Sequence, residues 1–346
     1  ECGGPRTRAF RMIPAQRLRM AARFAAHRFR EVHPYEVQAL LLNACDLDCA
    51  YCRYPELRTR VLGTAQWQEV LRGLGRLGTL RVKFQGGEPT LRQDFVTLCA
   101  TARAAGIRAA VVSNGQRIAE DPSLLAELDE VVFSLDAADP AVHDAQRGAG
   151  SHARVLRAMD AAQARGLPVF AVMVVTRANE HELEPLLELC ESRGVGLHAQ
   201  PVLFSLDFCD ATERARLELP PDRIRAFNRQ MATWGRAGRR VMFSPATYER
   251  TAAWPDYAVP TLRSTGASSC MAGRFYVHIE ANGDVHPCQP HGATLAPKNV
   301  VRDGLVEALR HVARHDCGDC FNAYLNERKA VFGLQPAALL HMLRRD

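Results

Sequence analysis

The sequence predicts an α/β protein, a partial (β/α)6 TIM-like barrel followed by a small α+β unit. Between residues 36 and 205, six strand-like apolar runs alternate with amphipathic helical segments. This alternation is typical of parallel βαβ units with right-handed crossovers. After Pro201 the alternation stops, and a separate strand–turn–strand pattern begins near Arg274.

The strands and helices of the barrel are predicted from the spacing of apolar residues. Short apolar runs indicate strands, and apolar residues three or four positions apart indicate helices. The strands are expected at Val37–Asn43, Leu80–Phe84, Ala109–Ser113, Val131–Leu135, Val169–Thr176 and Gly196–Pro201. The helices are expected near Ala65–Arg76, Gln93–Ala105, Ser123–Leu128, His152–Arg165 and Glu180–Arg193. Loops that follow parallel strands lie at one rim, where barrels of this type carry their chemistry.

Four segments are predicted along the chain. A basic helical segment at 1–35 carries eight arginines in its first thirty residues, and the barrel occupies 36–205. A helical linker at 206–263 contains a helix at Asp222–Ala237, which Pro220-Pro221 starts. In the last segment, 264–346, Arg274–Glu280 and Asp284–His286 flank Asn282-Gly283, which is typical of a β-hairpin.

The composition is that of a globular protein that uses thiols for metal. The chain has 346 residues, 47% of them hydrophobic, and a net charge of +6. Its longest apolar run, Val169–Val175, is far too short to span a bilayer, so no membrane helix is expected. Eleven cysteines without a preceding hydrophobic signal segment favour a reducing, cytoplasmic compartment.

Three of these cysteines lie within eight residues at the end of the first predicted strand: Cys45, Cys49 and Cys52. Thiolates at this spacing can bind three irons of a cubane iron–sulfur cluster and leave the fourth iron open. Zinc is the alternative, although a structural zinc site normally has a fourth Cys or His nearby.

The run Asn43-Ala-Cys45-Asp-Leu-Asp-Cys49-Ala-Tyr51-Cys52 resembles the signature of the radical S-adenosylmethionine superfamily. The resemblance implies a [4Fe-4S] cluster whose open iron binds S-adenosylmethionine. It also implies an external one-electron reductant, flavodoxin- or ferredoxin-like, and a 5′-deoxyadenosyl radical that abstracts a substrate hydrogen. Tyr51 is then expected beside the cluster and the adenine.

A second segment, Gln85-Gly86-Gly87-Glu88-Pro89-Thr90, follows the next predicted strand. Glycines allow the backbone to approach a ligand closely. Glycine and proline are also common in ordinary loop turns that bind nothing. The segment resembles the family's GGEP segment, which implies that Gly86, Gly87 and Glu88 bind the methionine amino group.

Polar residues after the third and fourth strands are candidates for the ribose hydroxyls or the methionine carboxylate, with helix or turn capping as the alternative. These residues are Ser113, Asn114, Ser134 and Asp136. The stretch from Ser134 to Gly148 is similar to the subfamily with C-terminal auxiliary clusters. That similarity makes Ser134 and Arg147 candidates for the carboxylate, although Ala137 stands where the family often has glycine.

Two later residues, Asn179 and Gln200, lie near the ends of predicted strands. Both residues are candidates for lining the site, and a role in the core or at the surface is the alternative.

The last segment carries four more cysteines: Cys270, Cys288, Cys317 and Cys320. It resembles the twitch and SPASM extensions of radical enzymes, and four cysteines fit the one-cluster twitch form. The resemblance implies an auxiliary [4Fe-4S] cluster that carries electrons when all four thiolates bind. If one cysteine is not a ligand, His286 or His291 can replace it, or the cluster binds substrate. A zinc ion held by four thiolates is the alternative.

The expected activity is hydrogen abstraction followed by dehydrogenation or bond formation in natural-product or cofactor biosynthesis. A small-molecule substrate is expected because the barrel begins near Val37, without a preceding peptide-recognition domain. Maturation of a ribosomally made peptide, with a short peptide as substrate, is the alternative.

A non-catalytic zinc or iron–sulfur regulator is the alternative from another class, with its N-terminal arginines on nucleic-acid phosphates. Such a regulator has no need of the Gly86-Gly87-Glu88 and Ser113-Asn114 loops, so a nucleic-acid partner is not expected. No catalytic acid or base is identified from the sequence.

Overall fold

A nine-stranded sheet organises the part of the chain that the computed structural model describes, which is residues 33–202, 211–259, 261–263, 270–289, 295–315 and 317–345. The order of its strands is β10-β9-β8-β1-β2-β3-β4-β5-β6. Strands β1 to β6 are parallel to their neighbours, as expected for a partial (β/α)6 barrel. The predicted fold class is therefore confirmed. The N-terminal helix expected in segment 1–35 lies almost wholly outside the described residues.

The strands are β1 (Glu36–Leu40), β2 (Arg81–Gln85), β3 (Arg108–Ser113), β4 (Glu130–Ser134), β5 (Val169–Val175), β6 (Gly196–Pro201), β7 (Thr261–Arg263), β8 (Tyr276–Ile279), β9 (Asp284–His286), β10 (Lys298–Asn299) and β11 (Cys317–Cys320). Strands β7 and β11 form a separate antiparallel pair.

The helices are α1 (Thr64–Leu77), α2 (Phe95–Ala104), α3 (Gln116–Glu120), α4 (Pro140–Arg147), α5 (Ser151–Ala164), α6 (Leu183–Ser192), α7 (Ala211–Leu217), α8 (Pro221–Arg236), α9 (Pro245–Ala252), α10 (Leu305–Val312), α11 (Ala323–Phe332) and α12 (Pro336–Arg345). No helix in this described part combines the length and the apolar composition that a membrane crossing needs.

Most predicted barrel elements are found within one or two residues of their expected bounds, but the first strand and two of the helices differ. The helix expected at Glu180–Arg193 begins at Leu183, after a 3-10 turn at Glu180–Glu182. β1 ends at Leu40 rather than Asn43, so the cysteine segment begins in a longer loop. In place of the helix expected at Ser123–Leu128, the chain has a 3-10 turn at Pro122–Leu125, and the short helix α3 just before this turn was not predicted. Helix α4, which begins at Pro140 behind the capping carboxylate of Asp139, was not predicted.

The C-terminal hairpin joins the barrel sheet. β8 pairs antiparallel with β9, as the Asn-Gly turn predicts, and also pairs in parallel with β1. The segment expected as a separate unit therefore continues the sheet beyond β1. The division into four segments stays a prediction, because residues 203–210 and 264–269 lie outside the described part.

The two faces of the sheet differ in character. Residues such as Val37, Ala39, Val82 and Phe84 are fully buried against the helices and belong to the main apolar core. Because side chains alternate along a strand, their neighbours face the barrel interior. This interior face is polar at its amino end and carries Glu36, Gln38, Arg81, Lys83 and His278.

A buried group of charges closes the amino end of the barrel. Glu36 is 1% exposed and pairs with Arg81 at 3.1 Å and with Arg328 of α11 at 3.2 Å. Tyr324 of the same helix also donates to the Glu36 carboxylate. Burial opposes ionisation of Glu36, but Arg328 and Arg81 outweigh it and hold its pKa well below the usual range. The carboxylate thus anchors the C-terminal helix to β1.

Replacing this carboxylate should destabilise the fold. In a Glu36→Gln variant Arg328 loses its buried anion, so the free energy of unfolding should fall by about 3–5 kcal/mol. Because the pKa of Glu36 is lowered on folding, its contribution is complete at neutral pH and is lost as the pH falls into the acid range. Denaturant unfolding at pH 7 measures this difference.

The matched control is Glu120→Gln, which removes a carboxylate from the exposed pair with Arg117. It should change stability by less than about 1 kcal/mol. Equal denaturation midpoints for the two variants would show that Glu36 is not an anchor.

Candidate active site

The loop after β1 brings Cys45, Cys49 and Cys52 to the carboxyl end of the sheet. All three thiols are free and partly buried. Cys52 N–H donates to the Cys49 carbonyl at 2.9 Å, which closes a turn between them. Ala50 N–H donates to the carbonyl of Gln146 at 2.8 Å and ties the loop to α4. The predicted metal-binding loop therefore lies at the rim where barrel chemistry occurs.

Gly86 and Gly87 pack directly under this cysteine loop. A Cβ atom at Gly87 would lie 2.0 Å from the carbonyl oxygen of Ala44, and one at Gly86 would lie 2.3 Å from that of Leu42. Gly87 N–H donates to Leu42 O at 2.8 Å, and Glu88 N–H donates to Ala44 O at 2.9 Å. The two glycines are therefore needed because two backbones meet here. The expected contact with the methionine amino group stays a prediction.

Glu88 joins the loops after β2 and β3. Its side chain is buried, and one carboxylate oxygen accepts from Thr90 N–H at 3.1 Å and from Ser113 Oγ at 3.0 Å. The other oxygen accepts from Asn114 N–H at 2.7 Å. Burial raises the pKa of Glu88, whereas these bonds favour its ionised form. In this arrangement the carboxylate acts as a brace between the two loops.

Asn114 connects the same brace to the cysteines. Its Nδ2 donates to Asp46 Oδ1 at 2.7 Å and lies 3.7 Å from the sulfur of Cys45. A third strand end thus contacts the first cysteine, as expected for residues at one rim.

On the other side of the loop, Asp136 organises Tyr51 and Arg147. Asp136 is fully buried, and its Oδ2 accepts from the Tyr51 hydroxyl at 2.6 Å and from Arg147 Nε at 2.5 Å. Its Oδ1 accepts from Val174 N–H at 2.9 Å. Arg147 also bonds to the Tyr51 hydroxyl, and its Nη1 lies 3.9 Å from the sulfur of Cys49. Both carboxylate oxygens of Asp136 are therefore engaged by protein groups.

The thiols need a cation to ionise in this environment. Burial raises the pKa of Cys45 to about 12 and that of Cys49 to about 11, although the charge of Arg147 lowers the latter. Metal binding requires thiolates, and a bound metal supplies the charge that stabilises them. Three sulfur donors on one loop, with a guanidinium beside one of them, therefore fit an anionic iron–sulfur cluster.

Three further candidate residues differ in their burial and contacts. Ser134 and Gln200 are partly buried at the ends of β4 and β6. Asn179 is fully buried, and its Nδ2 donates to the carbonyls of Asp136 and Val174 at 2.9 Å. The structure thus gives Asn179 a role in the core.

The second cysteine group is also brought together. Cys270, Cys288, Cys317 and Cys320 are all buried and line one cavity. Cys270 N–H donates to the Cys317 carbonyl at 3.1 Å. The interaction between the Cys270 and Cys317 thiols lowers the pKa of Cys270 and raises that of Cys317. Four thiols around one cavity fit a fully ligated cluster.

Of the expected replacement ligands, His286 packs near the His278 ring, with 6.5 Å between the ring centroids. His291 lies outside the described residues. His315 lines the cavity but was not predicted, because a single histidine carries no spacing signal. Within the described ranges, no three His, Cys, Asp or Glu side chains are placed to hold a single metal ion.

Sequence reasoning also missed a polar group at the rim after β8. Glu280 Oε1 lies 2.9 Å from His278 Nε2 and 3.5 Å from the hydroxyl of Tyr54, two residues beyond Cys52. Burial opposes ionisation, but His278 holds the pKa of Glu280 below its usual range. This carboxylate lies between the segments that carry the two cysteine groups.

Fold and site together define a class of enzyme in which a partial parallel barrel carries three thiols on the loop after its first strand. The chain belongs to the radical SAM superfamily, whose family model matches residues 40–190. Members of this superfamily use a [4Fe-4S] cluster and S-adenosylmethionine, as the resemblance of the Asn43–Cys52 segment implies.

Similar proteins cover most of the chain. The mycofactocin maturase MftC of Mycobacterium ulcerans is 32% identical over an alignment of 275 residues that covers 76% of this chain and 71% of that protein. The PqqA peptide cyclase of Gluconobacter oxydans is 28% identical over an alignment of 278 residues that covers 76% of this chain and 72% of the cyclase. Both relatives are enzymes, so the expectation of an enzyme is confirmed.

Solved structures show the same fold. SuiB of Streptococcus suis bound to S-adenosylmethionine superposes with a TM-score of 0.62 at 18% identity, covering 85% of this chain and 69% of SuiB. The protein anSMEcpe with bound S-adenosylmethionine gives a TM-score of 0.61 at 15% identity, covering 89% of this chain and 98% of that one.

The glycine packing leads to a direct test. In a Gly87→Ala variant the new Cβ meets backbone at 2.0 Å, so we expect a loss of about 1–3 kcal/mol in stability and a displaced cysteine loop. Thermal unfolding and the iron bound per chain after anaerobic reconstitution measure these two effects.

Gly63→Ala is the control, because a Cβ at Gly63 has its nearest neighbour at 3.9 Å. It should keep its iron and nearly all of its stability. If Gly87→Ala binds as much iron as Gly63→Ala, the close packing does not position the cysteines.

Proposed function

We propose that this enzyme matures a ribosomally made precursor peptide. The observation that carries the proposal is the similarity to the mycofactocin maturase and the PqqA peptide cyclase, which extends well beyond residues 40–190. A structure of SuiB bound to the precursor peptide SuiA has the same fold, with a TM-score of 0.59. The similarity favours a peptide over the small molecule expected from the sequence.

In this proposal Cys45, Cys49 and Cys52 hold a [4Fe-4S] cluster at the rim. Three thiolates leave one iron for S-adenosylmethionine, and the bound cofactors supply a 5′-deoxyadenosyl radical that abstracts a hydrogen atom. Arg147, fixed by Asp136 and Tyr51, keeps a positive charge beside Cys49. Ser134 and Arg147 remain the candidates for the methionine carboxylate. An external one-electron reductant is part of the proposal.

Cys270, Cys288, Cys317 and Cys320 are proposed to hold an auxiliary [4Fe-4S] cluster. Their burial around one cavity supports this set, and it makes replacement by His286 unnecessary. With four thiolates the cluster has no open iron, so electron transfer is its proposed role.

Glu280 is proposed to face the peptide. It follows β8 at the carboxyl end of the sheet, and its side chain is 28% exposed. His278 and Tyr54 hold one of its oxygens, which leaves the other for a backbone or side-chain donor of the substrate.

The substrate class can be tested by co-expression. The wild type and a Cys49→Ala variant are each produced with the peptides encoded by short open reading frames beside the gene. Mass spectrometry should detect a changed mass on one peptide with the wild type only. Cys99→Ala, which replaces a buried cysteine of α2 outside both groups, should modify the peptide like the wild type.

Two results would contradict the proposal. If no peptide changes mass while the purified wild type releases 5′-deoxyadenosine, the substrate is not one of these peptides and the small-molecule alternative gains. If Cys49→Ala still cleaves S-adenosylmethionine after reconstitution, the first cysteine group does not hold the cluster.

Iron content tests the auxiliary site. The reconstituted wild type should bind about eight iron atoms per chain, and a Cys317→Ala/Cys320→Ala variant about four while still cleaving S-adenosylmethionine. A Cys99→Ala/Cys190→Ala variant removes two buried cysteines elsewhere and should retain the wild-type iron. Equal iron in all three proteins would remove the auxiliary cluster from the proposal.

A further inference from the structure

The imidazole of His315 bridges the two chain segments that carry Cys270 and Cys317. Its Nε2 bonds to the carbonyl oxygen of Ala272, two residues after Cys270. Its Nδ1 accepts from Cys317 N–H at 3.2 Å. Only a neutral ring with its hydrogen on Nε2 satisfies both partners, because a carbonyl accepts and an amide donates.

The ring is held in place by its surroundings. It lines the cavity of the four cysteines, and Cys270 N–H donates to the Cys317 carbonyl between the same two segments. Gly273, with φ at +78°, lies against it, and a Cβ there would be 2.8 Å from His315 Cδ2. The side chain thus has little freedom to leave the bridge.

The hydrogen bond between the Cys317 N–H and His315 also determines which acceptor this backbone amide has. Hydrogen bonds to cluster sulfurs help to set the reduction potential of a bound cluster, and outer groups orient its ligands. In this chain the Cys317 N–H is directed to an imidazole nitrogen at the edge of the cavity. An amide engaged in this way would not be available to the sulfur atoms of a cluster bound by the four cysteines.

We propose that His315 is a positioning residue of the auxiliary centre. It fixes the spacing of the Cys270 and Cys317 segments and keeps the reduction potential of the centre low by engaging the Cys317 amide. The inference rests on the proposed function, in which the four cysteines hold an iron–sulfur cluster.

The experiment isolates the auxiliary centre in a Cys45→Ala/Cys49→Ala/Cys52→Ala background, where iron is the probe. His315→Phe keeps the volume of the ring but removes both hydrogen bonds, and His315→Gln keeps an acceptor and a donor. His311→Phe is the matched control, since His311 is on α10 and bonds to the Ala296 carbonyl at 2.8 Å. Iron per chain, the electron paramagnetic resonance spectrum and the midpoint potential are measured in each protein.

His315→Phe should shift the midpoint potential upwards and change the spectrum, because the released amide can reach a cluster sulfur. The midpoint potential of His315→Gln should lie between those of His315→Phe and the background. The potential and the spectrum of His311→Phe should match those of the background. Loss of iron from His315→Phe with retention in His315→Gln would also support a positioning role.

The same potential and spectrum in His315→Phe and the background would overturn the inference while leaving the auxiliary cluster intact. Loss of iron from both His315 variants would overturn it too, since the glutamine was expected to maintain the bridge. A background that binds no iron would instead refute the auxiliary cluster, and the inference would fall with it.

Discussion

The close passage of two backbones at Gly86 and Gly87 determines where the first three cysteines lie. Main-chain bonds from Gly87 and Glu88 to Leu42 and Ala44 attach the cysteine loop to the end of β2. Any side chain at either glycine would push the loops apart. Because a cluster needs its thiolates at set positions, this contact lets the barrel present them on a loop without secondary structure of its own.

Two buried carboxylates then complete the support of the loop. Glu88 ties the ends of β2 and β3 together, and Asp136 aligns Arg147 and Tyr51 beside Cys49. From the sequence, both acids were candidates for contacts with S-adenosylmethionine. Their oxygens are occupied by protein donors, so their immediate effect is to orient the residues that surround the cysteines. The negative charge of each acid is therefore important to the loop. A neutral amide in its place would bring an N–H donor to a position where only an acceptor fits.

Local patterns in the sequence predicted the features that depend on residues close together in the chain, such as strand bounds and cysteine spacing. Strand β6 has the predicted bounds Gly196–Pro201, and Cys45, Cys49 and Cys52, whose spacing predicts a metal site, lie on one loop with free, partly buried thiols. The pairing of β8 with β1 joins residues some 240 positions apart, and no periodicity within either strand reveals it. His315 was missed for the same reason, since its meaning comes from partners that only folding brings near.

The parallel pairing of β8 with β1 has a consequence for shortened forms of the chain. β1 has β2 on one side and β8 on the other, so a protein ending before the hairpin would leave one row of its amides and carbonyls unsatisfied. Unprotected strand borders of this kind recruit other chains and promote aggregation. The barrel is thus unsuited to expression as an independent catalytic domain. Insolubility of such a fragment would result from the unpaired edge of β1.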